Sequence, residues 1–204
     1  MVVTDTSGFV VGCENDRICR VNGLNSLQHV GVATAIVMCA YWLTATIGLT
    51  WAIPPGYATL VWAPAGIALG CVYVWGPRLA LGVLLGSYLA NVWVPSAPER
   101  AAVFLSGALP AVGATVQAIV GAYMLRRFVQ AGSHILRMAR FALLAAASCA
   151  INGVWGPMSL SMAGLIPPSE IQSCIWTWWV GDAIGCVVFA PLIVFLAGGK
   201  NGVR

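Results

Sequence analysis

The sequence predicts an all-α fold: a polytopic bundle of about six membrane-spanning helices with both termini cytoplasmic. Three observations lead there. Charged residues make up 8% of the chain and hydrophobic residues 60%, with mean hydropathy +0.88, whereas a soluble domain carries about 25% charge. Such a chain cannot dress a surface facing water. Apolar runs close to the roughly 20 residues that a spanning helix needs recur along it. The basic residues stand at the ends of these runs, and mostly on one side.

The order of segments follows from those runs. Residues 1–28 read as a polar cytoplasmic tail carrying Asp5, Glu14, Asp16, Arg17 and Arg20. The first apolar run after it is too long for a signal peptide core and has no small-residue cleavage site. Residues 29–197 form the transmembrane domain, with runs at about 30–52, 58–75, 78–95, 101–124, 139–162 and 174–197. The second and third runs are short and are separated by the turn WGPR (75–78). Residues 198–204 are a second cytoplasmic tail.

With the N-terminus inside, Arg17, Arg20, Arg78, Arg126, Arg127, Arg137, Arg140, Lys200 and Arg204 all face the cytoplasm. Arg100 is the one basic residue left outside, beside Glu99. This distribution obeys the positive-inside rule. The net charge of +4 therefore reports topology, and the expected partner is the lipid bilayer, not nucleic acid. The loop RRFVQAGSHILRMAR (126–140) is the main cytoplasmic feature, an anchor at the headgroups.

On the outer side, the proline turns IPPG (53–56) and IPPS (166–169) each precede a helix entry bearing Trp. Those helices share Gly-x-x-x-Gly-Cys-Val, in GIALGCVYV (66–74) and GDAIGCVVF (181–189). The pairs Gly66/Gly70 and Gly181/Gly185, with Gly82/Gly86 in the third run, each stand one helical turn apart. They are expected to let a second backbone approach closely.

Polar residues inside the runs are the candidates for function. Asn91, Gln117, Asn152 and Asp182 are embedded in apolar sequence. Asp182 sits within WTWWVGDAIG (176–185), with no Lys or Arg nearby in sequence. A charged carboxylate at a helix centre costs about 2.5–3.5 kcal/mol on insertion scales, and ionisable groups at such depth are usually functional. Counted along the runs, Asn91, Asn152 and Asp182 fall in the outer half of the bilayer and Gln117 closer to the inside. A ligand-binding or proton-sensing site is expected at Asp182, Asn152 and Asn91, with Trp178 and Trp179 beside it. Pro157 is expected to loosen the fifth run near Asn152.

Enzyme signatures are absent: there is no Gly-x-Ser-x-Gly, no phosphate loop and no His-Glu-x-x-His. Most of the seven cysteines lie in apolar runs, and Cys13 and Cys19 do not have the spacing of a zinc site. No catalytic residue, metal site or cofactor is expected.

VWAPAGIAL (61–69), WGPRLALGVLLGSYLANVWV (75–94), VGATVQAIVGAYMLRR (112–127) and WWVGDAIGCVVFAPLIVF (178–195) resemble, in order, the signature segments of the MASE1 domain. That family comprises bacterial integral-membrane sensory domains placed ahead of kinase, cyclase or phosphodiesterase modules. The family usually has Trp-Pro-Pro-Ala-Gly where this chain has Trp62-Ala63-Pro64-Ala65-Gly66, and often a glutamate at Gln117. It also tends to continue through two more spans to an output domain, whereas this chain stops at Arg204. The resemblance implies a multi-pass protein of the bacterial inner (cytoplasmic) membrane. The expected role is a non-catalytic sensory or signal-transducing module. It would read a small molecule or an ion and act through a membrane or cytoplasmic protein partner. Two other readings stand beside it: an accessory or structural subunit of a larger respiratory or photosynthetic complex, and a small transporter or ion-binding subunit. The topology has a direct check. A membrane-impermeant thiol reagent applied to intact cells is expected to leave Cys13 and Cys19 unlabelled, and labelling there overturns the cytoplasmic N-terminus.

Overall fold

The computed structural model describes residues 27–52, 59–92, 100–129 and 133–198. The expectations for the two polar tails, including Cys13 and Cys19, concern residues outside these ranges. The described residues form six α-helices: α1 (Leu27–Leu49), α2 (Ala63–Trp75), α3 (Ala80–Val92), α4 (Arg100–Phe128), α5 (His134–Met162) and α6 (Ile171–Gly198). No strand occurs among the described residues.

Local chemistry explains the ends. Pro64 stands in the first turn of α2, where a missing N–H costs nothing. Gly76 ends α2 at φ 97°, a conformation that only glycine adopts without strain, and a short 3-10 turn over Pro77–Leu79 leads into α3. Ser133 caps α5 through its hydroxyl, which accepts from the Leu136 N–H at 3.4 Å. That cap draws residues 134–140 into α5, so the basic segment 126–140, read above as a loop, is helical at both ends. At the other end of α5, Gly164 has φ 75°. The Leu165 N–H returns to the Leu160 carbonyl at 2.9 Å, the six-to-one bond of a Schellman stop.

Neighbour contacts give the direction of each helix. Gly48 faces Trp62, so α1 and the entry to α2 run opposite ways, while Gly82 and Gly86 face Thr34 to Tyr41, so α1 and α3 run parallel. Gly107 meets Tyr88 and Val92, which makes α3 and α4 antiparallel. Gly113 meets Asn152 while Gly121 meets Ser148, and Gly156 meets Trp178. The helices therefore alternate in direction through the bundle. Arg78, Arg126, Arg127, Arg137 and Arg140 collect at one end of it, and Arg100 stands at the other.

Four helical segments are long and apolar enough to cross a membrane: His29–Leu49, Ser106–Phe128, His134–Met162 and Pro168–Gly198. Helix α2 is apolar but has only 13 residues, or about 20 Å at 1.5 Å per residue. Large apolar side chains such as Val32, Ile36, Leu81, Leu143 and Phe195 are exposed on the outside. Small residues are frequent in the interior, among them Ala45, Ala68, Ala118, Ala122, Ala145 and Ala190, beside larger ones such as Leu69, Val83 and Leu125. In lipid there is no hydrophobic drive between helices, so close packing of small residues holds the bundle together.

The tightest seam joins α2 to α6, side by side and parallel. The Trp62 N–H donates to the Gly181 carbonyl at 2.9 Å, a backbone bond between elements. A Cβ on Gly181 would strike the Thr59 carbonyl, one on Gly185 the Trp62 carbonyl, and one on Gly66 the Gly185 carbonyl. Further along, a Cβ on Gly70 would lie 2.7 Å from Ile193 Cβ. On the opposite side of the bundle, Cβ atoms on Gly82 and Gly86 would lie 2.6 and 2.7 Å from the Thr34 and Met38 carbonyls of α1. Arg126 ties the far end of α2 to α4, donating to the Val72 carbonyl at 2.9 Å and, through Nε, to the Tyr73 carbonyl at 3.1 Å.

This packing has a contrasting pair of tests. Gly185→Ala forces Cβ into backbone and is expected to lower stability by about 1–3 kcal/mol, the usual range for overpacking. Gly31→Ala, in open space on α1, is expected to be neutral or to raise stability by up to about 1 kcal/mol. Thermal unfolding of both variants in one detergent measures the difference.

Candidate functional site

Asp182 is 3% exposed and lies eleven residues into α6, which begins at Ile171, or about 16 Å along it. The glycines on either side of it in sequence space, Gly181 and Gly185, admit the backbone of residues 59–66. This places the carboxyl beside the point where α2 starts.

Neutral side chains surround the carboxyl. Asn152 of α5 donates through Nδ2 to Asp182 Oδ2 at 3.4 Å, and the Gln117 side chain of α4 also hydrogen-bonds it. Gln117 is shared further: its Oε1 accepts from the Asn152 backbone N–H at 3.3 Å, and its Nε2 approaches Cys149 Sγ at 3.6 Å. Cys149 in turn lies 3.6 Å from Cys186 of α6, sulfur to sulfur. On the other flank, Tyr41 of α1 is 2% exposed. It hydrogen-bonds the side chains of Ser87 on α3 and Trp62 at the entry to α2, and lies within electrostatic range of Asp182. Each of the six helices, or the residue just before it in the case of α2, thus supplies a group to one polar centre.

The expected site residues have separate places. Asp182 and Asn152 are in direct contact. Asn91 is half-buried and turns back within α3, donating to the Ser87 carbonyl at 2.8 Å and to its hydroxyl at 3.4 Å, so it reaches the centre only through Ser87 and Tyr41. Trp179 donates its indole N–H to the Ala146 carbonyl at 2.8 Å and meets Trp176 edge-on, with centroids 5.6 Å apart. Trp178 lies over Gly156, where a Cβ would collide with its ring, and packs against Leu160, Ile166 and Cys174. Both tryptophans therefore build the α5–α6 contact. Helix α5 runs through Pro157 to Met162 without a break.

Gln117, Tyr41, Ser87, Trp62, Cys149 and Cys186 join the centre without having been singled out as site residues. Gln117 was visible as a polar residue, but distance along the run assigned it to the inner side. Its long amide and the deeper position of Asp182 bring the two together. Tyr41, Ser87 and the cysteines look unremarkable in apolar runs, and no spacing rule connects them.

One acceptor stands out. Asn152 Oδ1 is a buried side-chain atom without a hydrogen-bond partner among the described residues. It rests against Gly113, where a Cβ would come within 2.5 Å of it. An unpaired acceptor in a low-dielectric interior carries a free-energy cost. Among the described residues, no group of three or more His, Cys, Asp or Glu is placed to hold a metal ion.

No curated protein and no solved structure matches the chain significantly. Residues 32–200 match the family model MASE1, a range that runs from within α1 past the end of α6 and includes the polar centre. MASE1 is a membrane-associated sensory domain. A match over most of the chain, on a helical bundle with an apolar surface, makes the assignment: the chain belongs to the MASE1 family of integral-membrane sensory domains.

Proposed function

We propose that this chain is a non-catalytic sensory module of the bacterial inner membrane, that it reads its signal at Asp182, and that it passes the signal to a partner protein through α5 and α6. In this reading all six helices cross the bilayer, and the end rich in arginine faces the cytoplasm. The basic cluster supports that orientation through the positive-inside rule.

One observation carries the proposal. Asp182 is a buried carboxyl whose hydrogen bonds come from neutral amides, at the point where the helices converge. Charged and neutral forms of such a group differ by a few kcal/mol in a low-dielectric interior. A difference of about 3 kcal/mol changes an equilibrium by roughly a hundredfold, enough to shift a bundle between two packings. A proton, or a small ligand that binds the carboxyl, supplies that difference. The titratable groups facing Asp182 are Tyr41 from α1, Cys149 from α5 and Cys186 within α6. The other helices present Trp62, Ser87 and Gln117, which do not titrate.

A second reading, an ion-binding subunit, is favoured by the irregular backbone of residues 59–62 lying against α6 at the depth of Asp182. Unwound backbone beside a half-length helix is where transporters bind ions.

Asp182→Asn is the test, because it keeps hydrogen-bonding capacity while removing the titration. In lipid vesicles the wild-type protein is expected to show an infrared carboxyl band that changes with pH. Its tryptophan emission, from Trp62 and Trp179 near the centre, is expected to change in parallel. Asp182→Asn is expected to remain folded and lose both responses. If the variant keeps the same pH-dependent emission and no buried carboxyl band titrates, Asp182 is a packing residue and the sensing proposal fails. For the second reading, sodium or potassium is expected to shift the wild-type emission at constant pH. No shift with either ion removes that reading.

A further inference from the structure

Next to the carboxyl lies a pair of reactive groups that proton sensing leaves unused. Cys149 on α5 and Cys186 on α6 are free thiols, with sulfurs 3.6 Å apart and exposures of 0% and 1%. Cys149 stands three residues before Asn152, and Cys186 four after Asp182. On antiparallel helices, the sulfur pair is therefore the next rung beyond the Asn152–Asp182 bond, one turn toward the arginine end. Gln117 holds Cys149 in place through its Nε2.

The surroundings restrict what this pair can do. Two sulfurs are too few ligands for a closed metal site, and among the described residues no group of three or more His, Cys, Asp or Glu is placed to hold a metal ion. A disulfide is neutral. It requires the sulfurs to close from 3.6 Å to about 2.05 Å, a small relative shift of two helices that already touch. Burial also restricts the oxidant. A charged or bulky disulfide reagent does not enter this seam, whereas a molecule of water's size and neutrality does when the helices part.

We propose that Cys149 and Cys186 are an oxidative modification site, a dithiol that hydrogen peroxide, small and uncharged, converts into a disulfide joining α5 to α6. The Cys186 sulfur, which accepts the hydrogen bond of the Cys149 thiol, attacks one peroxide oxygen. The O–O bond breaks, the departing hydroxide takes the Cys186 thiol proton and leaves as water, and Cys186 becomes a sulfenic acid. The Cys149 sulfur then attacks that sulfur atom. The S–O bond breaks, and the hydroxyl leaves with the Cys149 proton as a second water. Two thiols and one peroxide give one disulfide and two waters, and no charge remains in the bundle. Burial slows the first step, since oxidation follows access and thiolate character. Proximity speeds the second, because the resolving sulfur is already at contact distance. The product is therefore the cross-link and not a higher oxide. This inference does not rest on the titration of Asp182, and its readout is chemical mapping at constant pH.

The experiment uses membranes that carry the full chain, treated with hydrogen peroxide, quenched with catalase, unfolded in detergent with N-ethylmaleimide and mapped by mass spectrometry. The expected result is a Cys149–Cys186 linked peptide that dithiothreitol reverses and that neither Cys149→Ser nor Cys186→Ser yields. Cys39→Ser, at an exposed position, is expected to retain it. Recovery of both residues as free thiols at peroxide levels that oxidise Cys39 overturns the proposal. So does their conversion to separate sulfinic acids, or a link that forms only when the oxidant is added after unfolding.

Discussion

The bundle depends on one close approach, that of the backbone entering α2 to the face of α6 at Gly181 and Gly185. The Trp62 N–H bonds the Gly181 carbonyl, and neither glycine has room for a side chain. Asp182 lies between them in sequence. The absence of side chains at its neighbours allows α2 to begin beside it, and the helix that follows is short because the chain has already travelled part of the way into the bundle without helical structure. In lipid, such irregular backbone persists only where protein covers it and its polar groups are satisfied. The Trp62–Gly181 bond satisfies one such group against α6, while Leu60 and Val61 remain exposed.

From this seam the polar centre follows. Helix α6 is held against α2 on one side and α5 on another, so Asp182 and Cys186, one turn apart, face inward together. Helix α5 answers with Asn152 and Cys149 at matching heights. Gln117 bridges the two rungs from α4, and Tyr41 closes the centre from α1 through Ser87 and Trp62. The remaining interior mixes alanine and glycine with Leu69, Val72, Val83 and Leu125. Within it, the Asn152 Oδ1 acceptor is buried without a hydrogen-bond partner among the described residues. In the proposed reading, the polar and sulfur rungs between α5 and α6 are the places where a proton, a ligand or an oxidant would act.

Helix positions were legible where composition and punctuation agree. The apolar runs and WGPR gave the order and rough extent of the helices, because a bilayer demands long apolar segments and proline and glycine interrupt them, although the second run was expected from about residue 58 and α2 begins at Ala63. The start of α5 was less clear: Ile135, Leu136 and Met138 share their segment with arginines, and a Ser cap outweighs that mixed composition. Asp182, Asn152 and Asn91 were visible as three polar groups at similar depth because each is expensive in an apolar run, and the structure joins the first two. Asn91 shares that property, yet its amide is satisfied by Ser87 one turn earlier in its own helix. A bond of that kind depends on side-chain rotamer and leaves no trace in spacing.

The sequence by itself determined the class of this protein: its residence in a bilayer, the order of its helices, the one-sided arginines and the buried acid at its centre. These follow from one-dimensional quantities, namely how long an apolar run is, where charge interrupts it and where glycine recurs. The tertiary structure alone decided which groups meet that acid. Tyr41, Gln117, Cys149 and Cys186 come from four helices, and their contacts depend on how far each helix is rotated about its own axis and shifted along it. Small-residue packing sets those two quantities pair by pair, and neither is written in the sequence of any one helix.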